Sequence, residues 1–171
     1  MPRWWNQLQS VAYSRLRWLP EWYARTRASR SEDVPLPPLA DLRVPLADAQ
    51  VAIVTAGGVH LANQTPFDMQ DAEGDASFRI IPGDVGVHDL RITHDYYDHS
   101  AADRDVNCVF PIERLRELVV AGEVGAVGPR HVGMMGHLLG AQAATLARDI
   151  APAVADIFQA DDVDLVLATP G

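Results

Sequence analysis

One apolar run, Gln50–Ala56, restricts the fold more than any other feature of the sequence, and it ends directly at Gly57 and Gly58. No charged residue interrupts this run, and β-branched side chains dominate it. A strand of this kind is typically buried on both faces, in a parallel or mixed sheet that helices cover. Near the C-terminus, Val163–Ala168 predicts another buried strand.

Extended and helical patterns alternate between these two strands. A proline in the first turn of Pro111–Ala121, together with one apolar face, predicts a helix there. The other segments are two strands, a glycine-rich loop and two helices, at Ser77–Ile81, Leu90–His94, Gly122–Gly136, Leu138–Asp149 and Pro152–Phe158. Strands separated by helices predict a layered α/β fold of the Rossmann or flavodoxin-like kind. Because no return helix follows the last strand, we expect this fold to be incomplete at its C-terminus.

Charge and proline content divide the sequence into three parts. Residues 1–30 carry six of the 14 arginines and all four tryptophans, and their apolar positions recur at helical spacing. We expect an amphipathic helical arm here, which either docks on the acidic remainder of its own chain or binds an anionic membrane or acidic partner. Residues 31–48 predict a proline-rich connector, and residues 49–171 an α/β domain.

The composition excludes several classes of function. A formal net charge of −9 argues against a general nucleic-acid binder, which needs a basic face toward the phosphates. All 14 basic residues are arginines, so neither a lysine Schiff base nor a phosphate-binding lysine is available. No apolar run is long enough to cross a bilayer. We therefore expect a cytoplasmic globular protein with neither nucleic acid nor membrane as its main partner.

The glycine pair after the first strand is a candidate binding turn. Glycine lets a ligand approach the backbone closely, so the amides of Gly57 and Gly58 could cradle an anion such as a carboxylate. The pattern lacks the spacing of a dinucleotide-binding fingerprint. A tight turn without any ligand is the alternative interpretation.

The densest polar cluster runs from His94 to His99, with Asp103 and Asp105 nearby. Its imidazoles and carboxylates could exchange protons near neutral pH, line a substrate site or ligate a metal ion. The spacing matches no established metal signature, so we expect no metal site. A hydrogen-bonded turn that caps the next segment is the other interpretation.

Two further residues carry reactive groups. His131 lies in the glycine-rich loop, beside flexible methionines, and is a better site candidate there than His137. Cys108 has apolar neighbours, which make a thiol unreactive, so we expect a buried structural cysteine. As the only thiol, Cys108 cannot form a disulfide or dithiol couple within this chain.

Ordered tracts across the globular part resemble one known family. They run from the glycine turn through the polar cluster to the glycine-rich loop, at Gly57–Leu61, Gln64–Asp68, Gly74–Arg79, Thr93–Asp98, Asp105–Asn107, Val109–Leu118, Gly122–Gly125 and His131–Gly136. Together they resemble the glycine/sarcosine/betaine reductase selenoprotein B family, which includes the selenocysteine subunit of D-proline reductase. The resemblance covers Val44–Gly171 and leaves the N-terminal arm outside.

The resemblance implies a reductase that cleaves a C–N bond in glycine, sarcosine, betaine or D-proline. In the family, a selenocysteine or cysteine pair follows a strand like Val163–Ala168, a position that Cys108 does not occupy. We therefore expect the redox pair just after Gly171 and no other cofactor. Either the stop there is a UGA codon that is read as selenocysteine, or the sequence is truncated. The implied partners are the small amino-acid or betaine substrate and other reductase subunits or a dithiol reductant protein, in an oligomer.

Within this resemblance, residue chemistry and position suggest which groups bind the substrate. The Gly57–Gly58 turn and His60 are expected to bind the substrate carboxylate. Asp95 and Tyr97 are expected to line the same pocket.

Two histidines are the expected catalytic residues. His94 would line the pocket, and His131 would act near the leaving amine as a proton donor. Without the redox pair, we expect the 171-residue chain alone to be inactive. Two other functions stay open, a non-catalytic subunit that binds a partner and a metal-dependent hydrolase built on the cluster His94–His99.

Overall fold

A computed structural model of the protein describes residues 40–170. Contacts divide the chain into two compact units. The larger unit contains Leu42–His94 and His99–Gly171, while Asp95–Asp98 belong to the smaller unit. The predicted N-terminal arm and the first part of the predicted connector lie outside the described residues, so the domain boundaries stay predictions.

Within the described residues, the larger unit contains seven strands and three α-helices. The strands are β1 (Gln50–Thr55), β2 (Val59–Leu61), β3 (Arg79–Pro82), β4 (Leu90–Ile92), β5 (Ala126–Val127), β6 (Arg130–Gly133) and β7 (Leu165–Thr169). The helices are α1 (Ile112–Val120), α2 (Gly140–Thr145) and α3 (Ala151–Ala160). Short 3-10 helices lie at Leu46–Asp48, Val87–Asp89 and Val106–Cys108, and a π-helical turn at Leu146–Ile150. No helix in residues 40–170 is long and apolar enough to span a membrane.

β1 is the central strand of a mixed five-stranded sheet. On one side β7 pairs with it in parallel, from Val51 opposite Leu165 to Thr55 opposite Thr169. On the other side, β5 pairs in parallel with the start of β1 and β6 with its end. β3 pairs antiparallel with β6, and β2 and β4 form a separate antiparallel pair. The structure therefore confirms a mixed α/β fold with the predicted strand at its centre.

Side chains on both faces of β1 are buried, as the apolar run predicts. Ala52 packs against Val154 and Phe158 of α3 on one face. Val51 and Ile53 point to the opposite face, because side chains alternate along a strand, and they are 3% and 0% exposed. Burying such side chains stabilises the fold by about 1.5–3 kcal/mol each.

Residues 140–160 form one helical run and not the two separate helices that the sequence predicts. α2 continues through the π-helical turn directly into α3. Pro152 lies in the first turn of α3, and its ring would otherwise collide with the carbonyl of Arg148, four residues earlier. Arg148 lies within the π-helical turn, where the wider spacing of the backbone gives the ring room. The run therefore passes a proline that the sequence pattern treats as a break.

Four strands differ from their predictions. β2 forms where no strand is predicted, and β5 forms within the predicted glycine-rich loop Gly122–Gly136. β6 forms inside the stretch that the glycines predict to be a loop. Gly133 fits this strand because a Cβ at that position would collide with the carbonyl oxygen of Val59. β7 forms where a strand is predicted, but it is exposed along most of its length, so the prediction of a buried strand is wrong.

Candidate functional site

The ends of parallel strands meet at one edge of the sheet, which is where ligands bind in open α/β folds. β1, β6 and β7 all end here. The amide of Ala56 donates to the carbonyl of Thr169 at 2.9 Å, and the amide of Gly58 donates to the carbonyl of Met134 at 2.8 Å. The segments that follow β1 and β6 are therefore held side by side at this edge, which we call the strand-end site.

His94 is attached to the strand-end site and is only 5% exposed. Its Nε2 accepts the amide hydrogen of Gly136 at an N···N distance of 3.2 Å. Because Nε2 is the acceptor, the proton of a neutral ring lies on Nδ1. A Cβ added to Gly58 would lie only 2.9 Å from the Cβ of His94. The structure thus brings the predicted catalytic residue His94 together with the predicted glycine turn.

Two threonine hydroxyls bind the segment before α1 to the same edge. Thr55 and Thr169 both donate to the carbonyl oxygen of Val109, at 2.8 and 2.6 Å. The hydroxyl of Thr55 also accepts the amide hydrogen of Gly57 at 3.1 Å. These bonds hold the start of α1 next to the ends of β1 and β7.

Replacing Thr55 with valine is expected to lower the free energy of unfolding by about 2 kcal/mol, because two hydrogen bonds are lost at a site that is 0% exposed. Thr55→Ser keeps the hydroxyl and is the matched control, with an expected loss below about 1 kcal/mol. Urea denaturation measures both values. A smaller loss in Thr55→Val than in Thr55→Ser would show that the methyl group, and not the hydroxyl, stabilises this edge.

Cys108 is an exposed free thiol, so the prediction of a buried structural cysteine is wrong. Its apolar neighbours Val109 and Phe110 do enter the core and are 7% and 0% exposed. Cys108 itself ends the 3-10 helix Val106–Cys108. In such a tight turn, adjacent side chains point in different directions, so apolar neighbours in the sequence do not establish burial.

His131 lies inside β6, not in a loop, and its side chain is 0% exposed. Its Nδ1 accepts the backbone amide hydrogen of Ile53 at 2.9 Å. β5 pairs with Gln50 and Val51 of β1, and β6 pairs with Val54 and Thr55. Ile53 lies between these two stretches, where the imidazole supplies the acceptor for its amide. Nε2 has no hydrogen-bond partner within the part of the chain that the structure describes.

The environment of His131 keeps its ring neutral. Burial, followed by the positive charge of Arg116, lowers the pKa of His131 to about 4. The ring of Phe110 also packs edge-on against it, with a centroid distance of 5.6 Å. These contacts give His131 a clear function within the sheet, while its predicted role as a proton donor to substrate stays a prediction.

His60 is engaged within the fold on both sides of its ring. It is 3% exposed in β2, where Nδ1 is 2.8 Å from the carbonyl oxygen of Leu61 and Nε2 is 2.9 Å from the hydroxyl of Thr93. These bonds tie β2 to the segment that leads to His94. Binding of a substrate carboxylate by His60 stays a prediction.

The amides of the glycine turn also have partners inside the protein. The Gly57 amide donates to the hydroxyl of Thr55, and the Gly58 amide donates to the carbonyl of Met134. The turn therefore has the hydrogen bonds of a tight connection between strand ends. A carboxylate bound beside it needs additional donors, and the predicted cradle stays a prediction.

The predicted cluster His94–His99 is divided between the two compact units. Asp95 and Tyr97 belong to the smaller one, where Asp95 is 2% exposed and Tyr97 is half-buried. His99 belongs to the larger one, and its Nδ1 lies 2.8 Å from a carboxylate oxygen of Asp103. Among residues 40–170, no group of three or more His, Cys, Asp or Glu side chains is placed to hold a metal ion.

A comparison with known protein families shows to which family the chain belongs. Its residues 27–170 match the family described as glycine/sarcosine/betaine reductase selenoprotein B. The chain belongs to this family. The resemblance seen in the sequence is therefore confirmed.

Curated relatives of this selenoprotein B family member are reductase subunits. D-proline reductase subunit gamma of Acetoanaerobium sticklandii is 38% identical over 126 residues, which are 74% of this chain and 50% of the relative. Glycine reductase complex component B subunit gamma of Carboxydothermus hydrogenoformans is 29% identical over 130 residues, 72% of this chain and 28% of the relative. The chain thus spans about half the length of the first relative and less of the second. No solved structure matches it.

Three residues that assemble the strand-end site of this selenoprotein B family member were not predicted from the sequence. Thr55 and Thr169 carried a usable signal, since threonines at the ends of two parallel strands bring their hydroxyls to one edge. Gly136 carried no such signal. A Cβ there would lie 3.1 Å from the carbonyl oxygen of Ala56, and only the folded chain shows that approach.

Proposed function

We propose that this chain is part of a selenol- or thiol-dependent reductase subunit that cleaves a C–N bond in an amino acid or betaine. The observation that carries this proposal is the family match over residues 27–170, which includes all of β7. The curated relatives support it, because they are subunits of D-proline reductase and of a glycine reductase complex. In this proposal the redox pair follows Gly171 and adjoins the strand-end site.

The proposed reaction transfers two electrons and two protons. When the C–N bond breaks, the carbon gains one hydrogen and the amine nitrogen gains the other. The redox pair loses two hydrogens and becomes a disulfide, or a selenenyl sulfide where one partner is selenocysteine. A dithiol reductant protein then restores the pair by thiol–disulfide exchange.

His94 is the residue of this chain that we assign to proton transfer at the leaving amine. It lies at the strand-end site, and imidazole exchanges protons near neutral pH. Gly57, Gly58 and His60 form the wall of the site toward the substrate carboxylate.

Three further residues belong to the proposal on different grounds. Asp95 and Tyr97 are included as substrate-binding residues on sequence grounds alone. The sequence also suggests His131 as a proton donor, but its complete burial in β6 supports a positioning role through Ile53.

The proposal extends to the setting of the subunit. We place it in the cytoplasm, in an oligomer with other reductase subunits, and without a metal ion or another cofactor in this chain. The Rossmann or flavodoxin-like layering, incomplete at the C-terminus of this chain, is also part of the proposal. The parallel pairing of β1 with β5, β6 and β7 supports that layering.

The coding sequence after codon 171 tests the function directly. We expect a UGA codon, or in-frame cysteine codons, immediately downstream. A longer polypeptide with cysteine at the UGA codon should cleave the C–N bond in the presence of a dithiol. Glycine, sarcosine or betaine would then release its amine, whereas D-proline would open its ring and keep the nitrogen. A different stop codon without in-frame cysteine downstream, or turnover by the 171-residue chain alone, would contradict the proposal.

In the active longer polypeptide, His94→Ala is expected to lower kcat by about 100-fold or more, the range typical of a lost general acid or base. His94→Gln keeps an acceptor for the Gly136 amide but cannot exchange a proton, so it should lose activity to a similar extent while remaining folded. His88→Ala is the control, because His88 is an exposed histidine of the same unit. Wild-type kcat in His94→Gln would exclude proton transfer by His94.

A non-catalytic subunit that binds a partner is the second candidate function. The exposed apolar residues of β7 favour this alternative, because such a surface is typical of a contact with another polypeptide. Steady-state turnover by the longer polypeptide separates the two functions.

A further inference from the structure

β7 has the sequence of a central strand but the exposure of an edge strand. Leu165, Val166 and Leu167 are 39%, 42% and 40% exposed. Their neighbours Val51 and Ile53 in β1 are 3% and 0% exposed. Large apolar side chains in a strand are normally covered, so β7 needs a partner that residues 40–170 do not supply.

The exposure affects both faces of the sheet. Leu165 and Leu167 pair with Val51 and Ile53 and share their face, while Val166 lies on the face of Ala52, where α3 packs. Neither face of β7 is therefore fully covered by the described helices. A partner must cover two faces and one backbone edge together.

β7 also lacks the features that protect natural edge strands. Exposed edge strands usually contain charged residues, prolines or bulges that prevent further pairing. Leu165–Thr169 contains no charged residue and no proline. The nearest charge, Asp164, is exposed but bonded to β1 and not to the outer edge, because its carboxylate accepts the amide hydrogen of Gln50 at 2.9 Å. Within the described residues, β7 pairs with β1 alone. The outer backbone edge is thus open to another strand.

We propose that this edge pairs with a β-strand from the part of the subunit that lies outside these 171 residues, and that helices joined to this strand cover both faces of β7. The length of the relatives supports this occupant, because half of D-proline reductase subunit gamma has no counterpart in the match to this chain. The inference depends on the exposure of β7 and not on the reductase chemistry.

A second copy of this chain fits the surface less well. Two copies of β7 related by a twofold axis would pair through their backbone edges. Such pairing leaves Leu165, Leu167 and Val166 exposed on the two faces, because a strand covers only the edge. A strand with attached helices covers all three surfaces, as in other layered α/β sheets.

Hydrogen exchange tests the proposal. Amide exchange of peptides covering Leu165–Thr169 is measured in the 171-residue chain and in the polypeptide encoded by the in-frame sequence that flanks it, with cysteine at any UGA codon. We expect the fast-exchanging amides of β7 to slow by about 100-fold in the longer polypeptide, as for amides that enter a stable sheet. Leu167→Lys should restore fast exchange in β7, whereas Val120→Lys, at an exposed apolar position in α1, should not.

Each other outcome contradicts the proposal. Fast exchange of β7 in the longer polypeptide would show that its additional residues do not cover the edge. Protection that rises with the concentration of the 171-residue chain would assign the edge to a second copy. The absence of any flanking in-frame sequence would remove the proposed occupant. Because substrate turnover is not measured, failure of this test is distinct from failure of the proposed function.

Discussion

Replacing Gly58 with alanine is expected to lower the free energy of unfolding by about 4 kcal/mol. Gly58 has a φ of 72°, which L side chains rarely adopt and which costs about 1–2 kcal/mol in alanine. The new Cβ would also collide with the carbonyl oxygen of Thr93 and lie 2.9 Å from the Cβ of His94. Overpacking of this kind costs about 1–3 kcal/mol more.

Gly122 offers a matched control for this substitution. Its φ of 75° is nearly the same, but a Cβ there would meet no atom within 4 Å. Gly122→Ala should therefore show the backbone strain alone, about 1–2 kcal/mol. The difference between the two variants in urea denaturation measures the collision, and similar losses would show that the Thr93 and His94 segment moves away at little cost.

Gly58→Ala is also expected to affect the strand-end site. The Gly58 amide donates to Met134, and the Gly58 carbonyl accepts from the Thr93 amide at 2.9 Å. A displacement of Gly58 therefore moves His94, which follows Thr93 directly. In the active longer polypeptide, Gly58→Ala should lower activity even at temperatures where the protein is folded.

The sequence predicted those elements whose side-chain pattern is continuous. β1 and α1 were found within one or two residues of their predicted bounds, because an apolar run and a helical apolar face each specify their element locally. β5 and β6 were missed, since the glycines in and around them predict a loop. Glycine is needed at position 133 of this strand because the carbonyl oxygen of Val59 leaves no room for a Cβ. That contact joins residues distant in the sequence, so the local pattern does not show it.

The candidate site was predictable in part for the same reason. His94 and Gly58 were both chosen from local patterns, and the structure brings them together. The position of His131 inside the sheet was not predictable from the sequence. It depends on where β5 stops pairing with β1 and where β6 begins, which only the folded sheet shows. Cys108 shows the same limit, since the direction of one side chain in a short turn is set by tertiary packing.

His131 leads to a specific expectation for stability against pH. The pKa of His131 in the folded protein is about 4, and the ordinary pKa of histidine, which applies to the unfolded chain, is 6.5. The folded pKa is the lower one, so below pH 6.5 the unfolded chain binds a proton that the folded protein refuses. The contribution of His131 is thus fully present above pH 6.5 and is lost as the pH falls toward 4.

The difference between the two pKa values corresponds to about 3 kcal/mol, with about 2 kcal/mol lost by pH 5. His131→Asn is the informative variant, because its side-chain oxygen can accept the Ile53 amide hydrogen but does not titrate. Urea denaturation of both proteins at pH 7, 6, 5 and 4.5 gives the free energy of unfolding at each pH. Between pH 7 and pH 5, we expect the free energy of unfolding to fall by about 2 kcal/mol more in the wild type than in His131→Asn. All other ionisable groups are the same in the two proteins, so their contributions cancel in this comparison. If the free energies of unfolding of the two proteins fell in parallel with pH, the His131 ring would be protonated in the folded sheet. A buried, neutral imidazole would then not be what holds β6 to β1.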